Sequence, residues 1–383
     1  MVLKVADRGN MPPFIVMDVM QAAWDREVSG KDVLHLEVGQ PSTPAPNKVI
    51  DAAKLALEKD NLGYTVAFGL PQLRGRIAEH YKRCYEIDVR VEKIAVTKGS
   101  SAAFILGFMA AFNPGDRVAM VSPGYPAYRN ILRALGIEPV IIESNLKHRF
   151  QPTVSLLKAC EKPIDGLIIA SPSNPTGTMI DDRQMKLLTD YCSENGIRLI
   201  SDEIYHGITY GYPSISALQT DPQSLVINSF SKYFSMTGWR LGWMIVPDDM
   251  IRPIECLAQN LFISAPTLSQ HAAIYAFDCY EDAEENVEKY RKNRSILMNE
   301  LPVAGISKLA PADGAFYIYA DISDLTEDST LFCQRMLQDI GVACTPGLDF
   351  DAERGSNTIR LSFAGANRDM VEACKRIKSW LKR

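Results

Sequence analysis

Between residues 93 and 246 short apolar runs return again and again, with helix-like stretches between the early ones. The runs are Lys93–Thr97, Val118–Ser122, Pro139–Glu143, Gly166–Ala170, Arg198–Asp202, Leu225–Ser229 and Trp239–Val246. Helical character falls at Ser101–Phe112, Pro126–Leu135 and Gln184–Asn195. The last opens on Asp181-x-x-Gln184, a capping-box-like start, and stops at Gly196. Near-continuous apolar strands alternating with helices demand a mostly parallel sheet covered on both faces. Ligands of such sheets sit outside the carboxyl ends of the strands. The pattern therefore predicts an α/β fold, a mostly parallel seven-stranded sheet between helices, and makes the residues after each run the candidates for chemistry.

The remainder of the 383 residues is enough for a second, smaller domain. Ile15–Arg26 has the spacing of an amphipathic helix, and Asp32–Val38 reads as extended. Gly39–Pro46 holds too much proline for a helix or an inner strand, so it marks the crossing from an amino-terminal arm. Helices are expected at Val49–Glu58 and Leu73–Tyr85, with a turn-rich loop at Asn61–Gly69. After about residue 250 the pattern changes. Glu281–Arg294 is a charged helix, acids first and bases last, with Glu285/Lys289 and Glu288/Lys292 one turn apart, and reads as a solvated face that also suits a bridge between domains. Strand-like Ile306–Ala310, Ala315–Ala320, Val342–Thr345 and Thr358–Phe363, with helices at Ser329–Ile340 and from Asp369, predict a small α+β unit. The expected division is residues 1–45 as arm and part of the small domain, 46–285 as the large domain and 286–383 as the small one.

Composition narrows the partners. A net charge of −5 with no basic block argues against nucleic acid and anionic membrane. The amino terminus shows no apolar signal region, and the longest uncharged apolar run, Phe104–Phe112, is too short to span a bilayer. Eight scattered cysteines with no C-x-x-C pair suit reduced thiols and a cytoplasmic protein. Five histidines without ligand spacing suggest no metal.

Four groups come after predicted strands. Gly99-Ser100-Ser101 joins a strand to a helix and offers amides and hydroxyls to a phosphate. Asn174, held between Pro172 and Pro175, is a rigid hydrogen-bonding group. Asp202 follows apolar Leu199 and Ile200, so it is expected to be partly buried and to need a cationic or N–H partner. Lys232 is the only charged side chain between Asp221 and Arg240. Poor solvation there disfavours its charged form and lowers its pKa, which is what amine chemistry on a carbonyl needs. Arg240, framed by Gly238, Trp239 and Gly242, suits a phosphate.

Taken together, Ser173-Asn-Pro-Thr-Gly177, Ser201-Asp-Glu-Ile-Tyr205, Ser229-Phe-Ser-Lys232 with Thr237-Gly-Trp-Arg-Leu-Gly-Trp243, and the late Arg360-Leu-Ser-Phe363 resemble the motifs of the class I/II aminotransferases, in order and in rough spacing. The likeness runs from Gly39 to Arg360. It implies a pyridoxal-phosphate-dependent transferase of fold type I, with the small domain drawn from both termini. It implies Lys232 as the amine that carries the cofactor and later moves the substrate proton, Asp202 as partner of the ring nitrogen, and Tyr205 and Asn174 as donors to the ring oxygen. Gly99, Ser100, Ser101, Ser229 and Arg240 would surround the phosphate, and Tyr125 would stack on the ring. Tyr64 would reach the phosphate of a neighbouring subunit, which implies a homodimer with shared active sites. Arg360 would grip the substrate carboxylate beside the Gly39 backbone, and the Asn174–Pro175 bond would be cis.

One position departs from the pattern. Some aspartate-selective members carry a lysine where Ser101 stands, so the expected donor is a neutral or aromatic amino acid, passed to a 2-oxo acid in ping-pong order. A pyridoxal-phosphate β-lyase of the C–S lyase type would use the same lysine and aspartate. A related transcription regulator would need a DNA-binding domain ahead of Gly39, and a dehydrogenase would need a G-x-G-x-x-G that the first βα turn lacks. His206 matches no role on sequence alone.

Overall fold

A computed structural model describes residues 3–382; the first two residues of the amino-terminal stretch, and Arg383, lie outside it. The amino-terminal part holds α1 (Ile15–Val28), β1 (Leu34–His35), α2 (Asn47–Lys59) and α3 (Pro71–Tyr85). The alternating region continues as β2 (Ile94–Thr97), α4 (Gly99–Ala111), β3 (Arg117–Ser122), α5 (Pro126–Ala134), β4 (Glu138–Glu143), α6 (Val154–Lys158), β5 (Gly166–Ala170), α7 (Asp182–Glu194), β6 (Arg198–Asp202), β7 (Leu225–Ser229) and β8 (Gly242–Ile245). Then come α8 (Ile251–Leu261), α9 (Thr267–Ala273), α10 (Tyr280–Ala304), β9 (Lys308–Leu309), β10 (Tyr317–Asp321), α11 (Ser329–Ile340), β11 (Val342–Ala343), β12 (Thr345–Pro346), β13 (Thr358–Ser362) and α12 (Asn367–Leu381).

The large sheet has seven strands in the order β2-β8-β7-β6-β5-β3-β4. All neighbours are parallel except β8, which runs against both β2 and β7. β2, β7 and β8 are buried along their whole length, as a sheet covered on both faces requires. The reversal of β8 matters for position. Its amino end lies at the same edge as the carboxyl ends of the others, so Arg240 arrives where the loops of β2, β5, β6 and β7 converge.

The expected strand Trp239–Val246 is shorter than its apolar pattern suggests. Thr237–Trp239 forms a single 3₁₀ turn and Arg240 takes a left-handed conformation, so pairing starts only at Gly242. That glycine is required by space: a Cβ there would press on the Asn228 carbonyl and the backbone of Gly99 and Ser100. Asp181 caps α7 through the Gln184 amide, while the Gln184 side chain turns away to the Pro152 carbonyl, so the capping box is only half made.

The second sheet, β12-β13-β10-β9, is antiparallel and backed by α10 and α11, with α12 packed along α10. β1 pairs in parallel with β11 in a separate two-stranded sheet, which ties the amino-terminal arm to the strand just before β12. Helix α10 runs well past the charged stretch. Asn286, Val287, Tyr290, Asn293, Leu297 and Leu301 lie buried along it at helical spacing, so only its other side is solvated. The expected one-turn pairs give way to Arg291–Glu288 and Lys289–Asn286 contacts. The helix also bridges the two sheets: Tyr233 Oη donates to Glu284, and Asn293 Nδ2 donates to the carbonyls of Phe363 and Gly365. Among the described residues, no helix is long and apolar enough to cross a membrane.

Candidate active site

A cavity of about 500 Å³ opens at the convergent edge of the large sheet, under the four-stranded sheet and helix α1. Lys232, Asp202, Tyr205, Asn174, Tyr125, Ser100, Ser101, Arg240, Gly39 and Arg360 all line it. These residues come from separate loops and from both sheets.

One end is built for an anion. Helix α4 starts at Gly99 without any side-chain cap, leaving its first amides to an outside partner. Arg240 donates from Nη1 to the Thr237 carbonyl at 3.1 Å and has no carboxylate partner among the described residues. Gly99 has φ +73°, and a Cβ on it would sit 2.8 Å from Arg240 Nη2. Only glycine lets the guanidinium lie against the helix terminus. Helix amides, two serine hydroxyls and an uncompensated cation together make a cup of the right chemistry for a phosphate.

The centre holds the amine and the acid. Lys232 Nζ donates to the Gly39 carbonyl and lies 5.9 Å from the centre of the Tyr205 ring. Burial pushes its pKa down to about 8; the Arg360 and Arg240 guanidinium groups add to the push and Asp202 opposes it. Asp202 is buried, accepting from the Ile204 amide at 3.1 Å and from the Tyr128 hydroxyl. Burial pushes its carboxyl up to about 6, against the pull of the Tyr128 and Ile204 bonds and of Lys232.

At the other end Arg360 is only 2 % exposed, sandwiched 4.4 Å from the Tyr317 ring and 4.6 Å from the Phe350 ring. Its Nη1 donates to Asn174 Oδ1 at 2.9 Å, and Nη2 donates to the Glu37 carbonyl and to Thr345 Oγ1. Nε has no partner, and no carboxylate pairs with the group among the described residues. Buried Asp349 offsets the charge only from outside ion-pair distance, and a buried charge without a direct partner costs on the order of several kcal/mol, so the group is suited to an incoming carboxylate. The bond to Oδ1 leaves Asn174 Nδ2 to donate elsewhere, and the Asn174–Pro175 peptide is cis. Tyr205 and Tyr317 share a hydroxyl bond of 2.7 Å. Any side chain at Gly39 would overlap the Tyr317 hydroxyl.

Three of the expected residues lie off the cavity wall. Gly99 stands behind Arg240. Ser229 Oγ is committed to the Leu241 carbonyl and to Ser231 Oγ, and Ser231 lines the cavity instead. Tyr64 is 84 % exposed on an outer loop, away from this chain's own site.

Other residues were not legible as site members. Phe14, Val16, Met17 and Met20 of the α1 region form an apolar wall, which reads as ordinary amphipathic packing in sequence. The wall is held by Asp349, whose carboxylate accepts from the Ile15 and Val16 amides at 3.0 and 3.3 Å. Tyr317 comes from the Gly314–Tyr317 stretch, whose side-chain directions no pattern reveals. His206 proves structural. Its Nε2 donates to the Ser171 carbonyl at 2.9 Å and its Nδ1 accepts from Tyr85 at 2.7 Å, and burial keeps it neutral with a pKa of about 3. It pins the loop that carries Asn174.

Known proteins resemble this chain along nearly its whole length. The family described as Aminotransferase class I and II matches residues 31–377. A valine–pyruvate aminotransferase of Mycobacterium tuberculosis is 50% identical over 382 residues, 99% of this chain and 98% of that protein. A (5-formylfuran-3-yl)methyl phosphate transaminase of Methanocaldococcus jannaschii is 36% identical, over 97% of this chain and 98% of that protein. Among solved structures, an aspartate aminotransferase from Thermus thermophilus with maleate superposes with a TM-score of 0.93 at 30% identity, covering 99% of this chain and 100% of that one.

Proposed function

The chain belongs to the class I and II aminotransferases, and on that premise we propose that its cavity moves the amino group of a neutral amino acid to a 2-oxo acid, one substrate after the other. Members of this family work with pyridoxal phosphate, which when bound draws electrons from the substrate Cα and makes its proton acidic. The residues present fit that group. Lys232 would hold it through Nζ and Asp202 would face its ring nitrogen. Tyr205 Oη and Asn174 Nδ2 would meet the ring oxygen, and Tyr125 would cover the ring. Arg240, Ser100 and Ser101 would take the phosphate, framed by Gly99 and Ser229.

The observation that carries the reading is a pair of guanidinium groups on the wall of one cavity, neither in an ion pair with a carboxylate among the described residues, with a buried amine and a buried acid beside them. Arg240 suits a phosphate and Arg360 a carboxylate, so an amino acid held by Arg360 presents its Cα toward Lys232. With a pKa near 8, Lys232 Nζ keeps a useful neutral fraction at physiological pH and can take a proton from Cα and return it. Tyr317 closes against Tyr205, and the α1 wall gives the side-chain end an apolar lining.

A neutral donor is supported by the same inventory. The cations lining the cavity are Lys232, Arg240 and Arg360, Ser101 carries no charge, and the α1 wall is apolar. The valine–pyruvate relative points the same way, and the transaminase names of the relatives favour transfer over elimination. We assign residues 46–285 to the cofactor-holding domain, and 1–45 with 286–383 to the small one. All seven strands of the large sheet fall at residues 94–245, and the second sheet at 308–362. The exposed Tyr64 loop supports a homodimer in which that tyrosine completes the partner's site, and the scattered cysteines without a C-x-x-C pair suit the cytoplasm.

The test is a half-reaction without a second oxo acid. Valine, alanine, phenylalanine and aspartate are each mixed with the loaded enzyme. One equivalent of 2-oxo acid per site, without ammonia release and fastest for the neutral donors, is expected. Faster turnover of aspartate would overturn the neutral-donor reading, and ammonia release would overturn transfer.

A further inference from the structure

Beyond Lys232, the acid on which the reaction depends has a partner of its own. Asp202 stands at the end of β6, and Tyr128 reaches it from α5 with a hydroxyl whose hydrogen bond goes to Asp202 Oδ2. The Tyr128 ring is 4 % exposed. It packs 5.0 Å from Phe104 of α4 and edge-on to Tyr125 at 5.2 Å, so its hydroxyl has little freedom to turn elsewhere. The Ile204 amide fixes the other carboxylate oxygen. Together the two donors set the plane of the carboxylate.

We propose that Tyr128 is a positioning residue for the transamination: its hydroxyl holds Asp202 ionised and turned so that the carboxylate pairs with the protonated ring nitrogen of the cofactor. This rests on Asp202 as the ring-nitrogen partner. A buried carboxylate without a donor tends to take up a proton, and a neutral carboxyl cannot keep a second proton on the ring. The groups facing Asp202 are Lys232, which favours its charge, and Glu203, Tyr125 and Tyr205, whose ionisation would oppose it. Of these, Lys232 is the one consumed in holding the cofactor. Once it is engaged, the Tyr128 hydroxyl and the Ile204 amide remain to stabilise the carboxylate, and only the hydroxyl can be removed by a side-chain substitution.

Tyr128→Phe keeps the ring and its packing. The experiment measures dissociation constants on the full-length protein for pyridoxal phosphate and for its 1-deaza analogue, in which a C–H replaces the ring nitrogen. Loss of a hydrogen bond to a charged group predicts about tenfold weaker binding of pyridoxal phosphate in the variant, with binding of the deaza analogue unchanged or tighter. The pH below which pyridoxal phosphate binding weakens should rise by about one unit. Equal weakening of both ligands, or no change in either, overturns the proposal, because a packing role cannot sense the ring nitrogen. Asp202→Asn is measured alongside. If it too fails to distinguish the ligands, the Asp202 assignment falls; if it distinguishes them and Tyr128→Phe does not, only the Tyr128 proposal falls. Should Tyr128→Phe not fold, Tyr128→3-fluorotyrosine supplies a more acidic donor of nearly the same shape. It should move the pH profile for pyridoxal phosphate downward, and an unmoved profile overturns the proposal.

Discussion

Arg360 Nη1 lies 2.9 Å from Asn174 Oδ1, so a strand of the four-stranded sheet and a loop of the seven-stranded sheet meet in a single buried bond. The side chain proposed to grip the substrate thus touches the side chain proposed to hold the cofactor ring. A shift of either sheet moves both.

Arg360→Ala should separate the two roles. Losing a buried charged partner costs about 3 kcal/mol, a KM for the amino donor roughly 100-fold higher. Cofactor affinity should change by less than about threefold, since the phosphate cup is untouched. Steady-state kinetics and a cofactor titration on the same preparation decide it; parallel losses would count against the carboxylate role.

The lowered Lys232 pKa has a direct kinetic signature. The neutral amine is the reactive form, and its fraction grows as pH rises through the pKa. The rate at which unloaded protein captures pyridoxal phosphate should climb up to about pH 8 and level off above it. A rate still rising toward the ordinary lysine value of 10.5 would mean that Lys232 is solvated. Stopped-flow absorbance reads this.

Glu203 gives a stability test of opposite sign to the common carboxylate case. It is buried, and Oε1 accepts from Ser201, Ser216 and the Ala217 amide while Oε2 has no partner. Burial raises its pKa from 4.5 to about 8, so the fold favours its protonated form. That contribution is complete below about pH 4.5 and lost as pH rises through about 8. Glu203→Gln cannot ionise. Its Tm relative to the parent should therefore improve between pH 5 and pH 9, by at least about 3 °C. A difference that stays flat with pH would show that Glu203 is charged throughout.

Asp349→Ala removes the carboxylate that caps α1. Losing a cap costs about 1 kcal/mol. Hydrogen exchange at residues 15–28 should quicken about fivefold while the seven-stranded sheet is unchanged, and KM for valine should rise as the apolar wall loosens. Unchanged exchange would show that α1 is held by other contacts.

Ser101→Lys should raise kcat/KM for aspartate relative to valine by about tenfold, the return for one additional charge contact. No gain would mean that position 101 does not face the distal end of the donor.

Much of the fold and the site was legible in the sequence. Unbroken apolar runs such as Leu225–Ser229 announce strands buried on both faces, and the loop after a parallel strand lies at the ligand edge, where Asp202, Asn174 and Lys232 line one cavity. The ends of strands were less legible, because Trp239 and Leu241 look strand-like and only the left-handed turn at Arg240 excludes them. The partners of the proposed catalytic groups were hidden for another reason. Tyr128 and Tyr317 are apolar-looking residues in apolar segments, and it is tertiary packing that aims their hydroxyls at Asp202 and Tyr205. The wall on α1 was hidden likewise, since a buried helical face is written the same way whether it meets core or substrate.

The cap on α1 also sets an order of events during synthesis. Asp349 lies 334 positions beyond the Ile15 amide it receives, and Arg360 comes later still. A nascent chain released through β8 already carries all seven strands of the large sheet, with Lys232, Asp202 and the anion cup. It still lacks both the arginine proposed to grip an amino acid and the residue that fastens the first helix over the opening. Synthesis therefore supplies every strand of the large sheet before it supplies the residues that join α1 and the four-stranded sheet to the cavity, so the mouth of the cavity is the last part of it to be made.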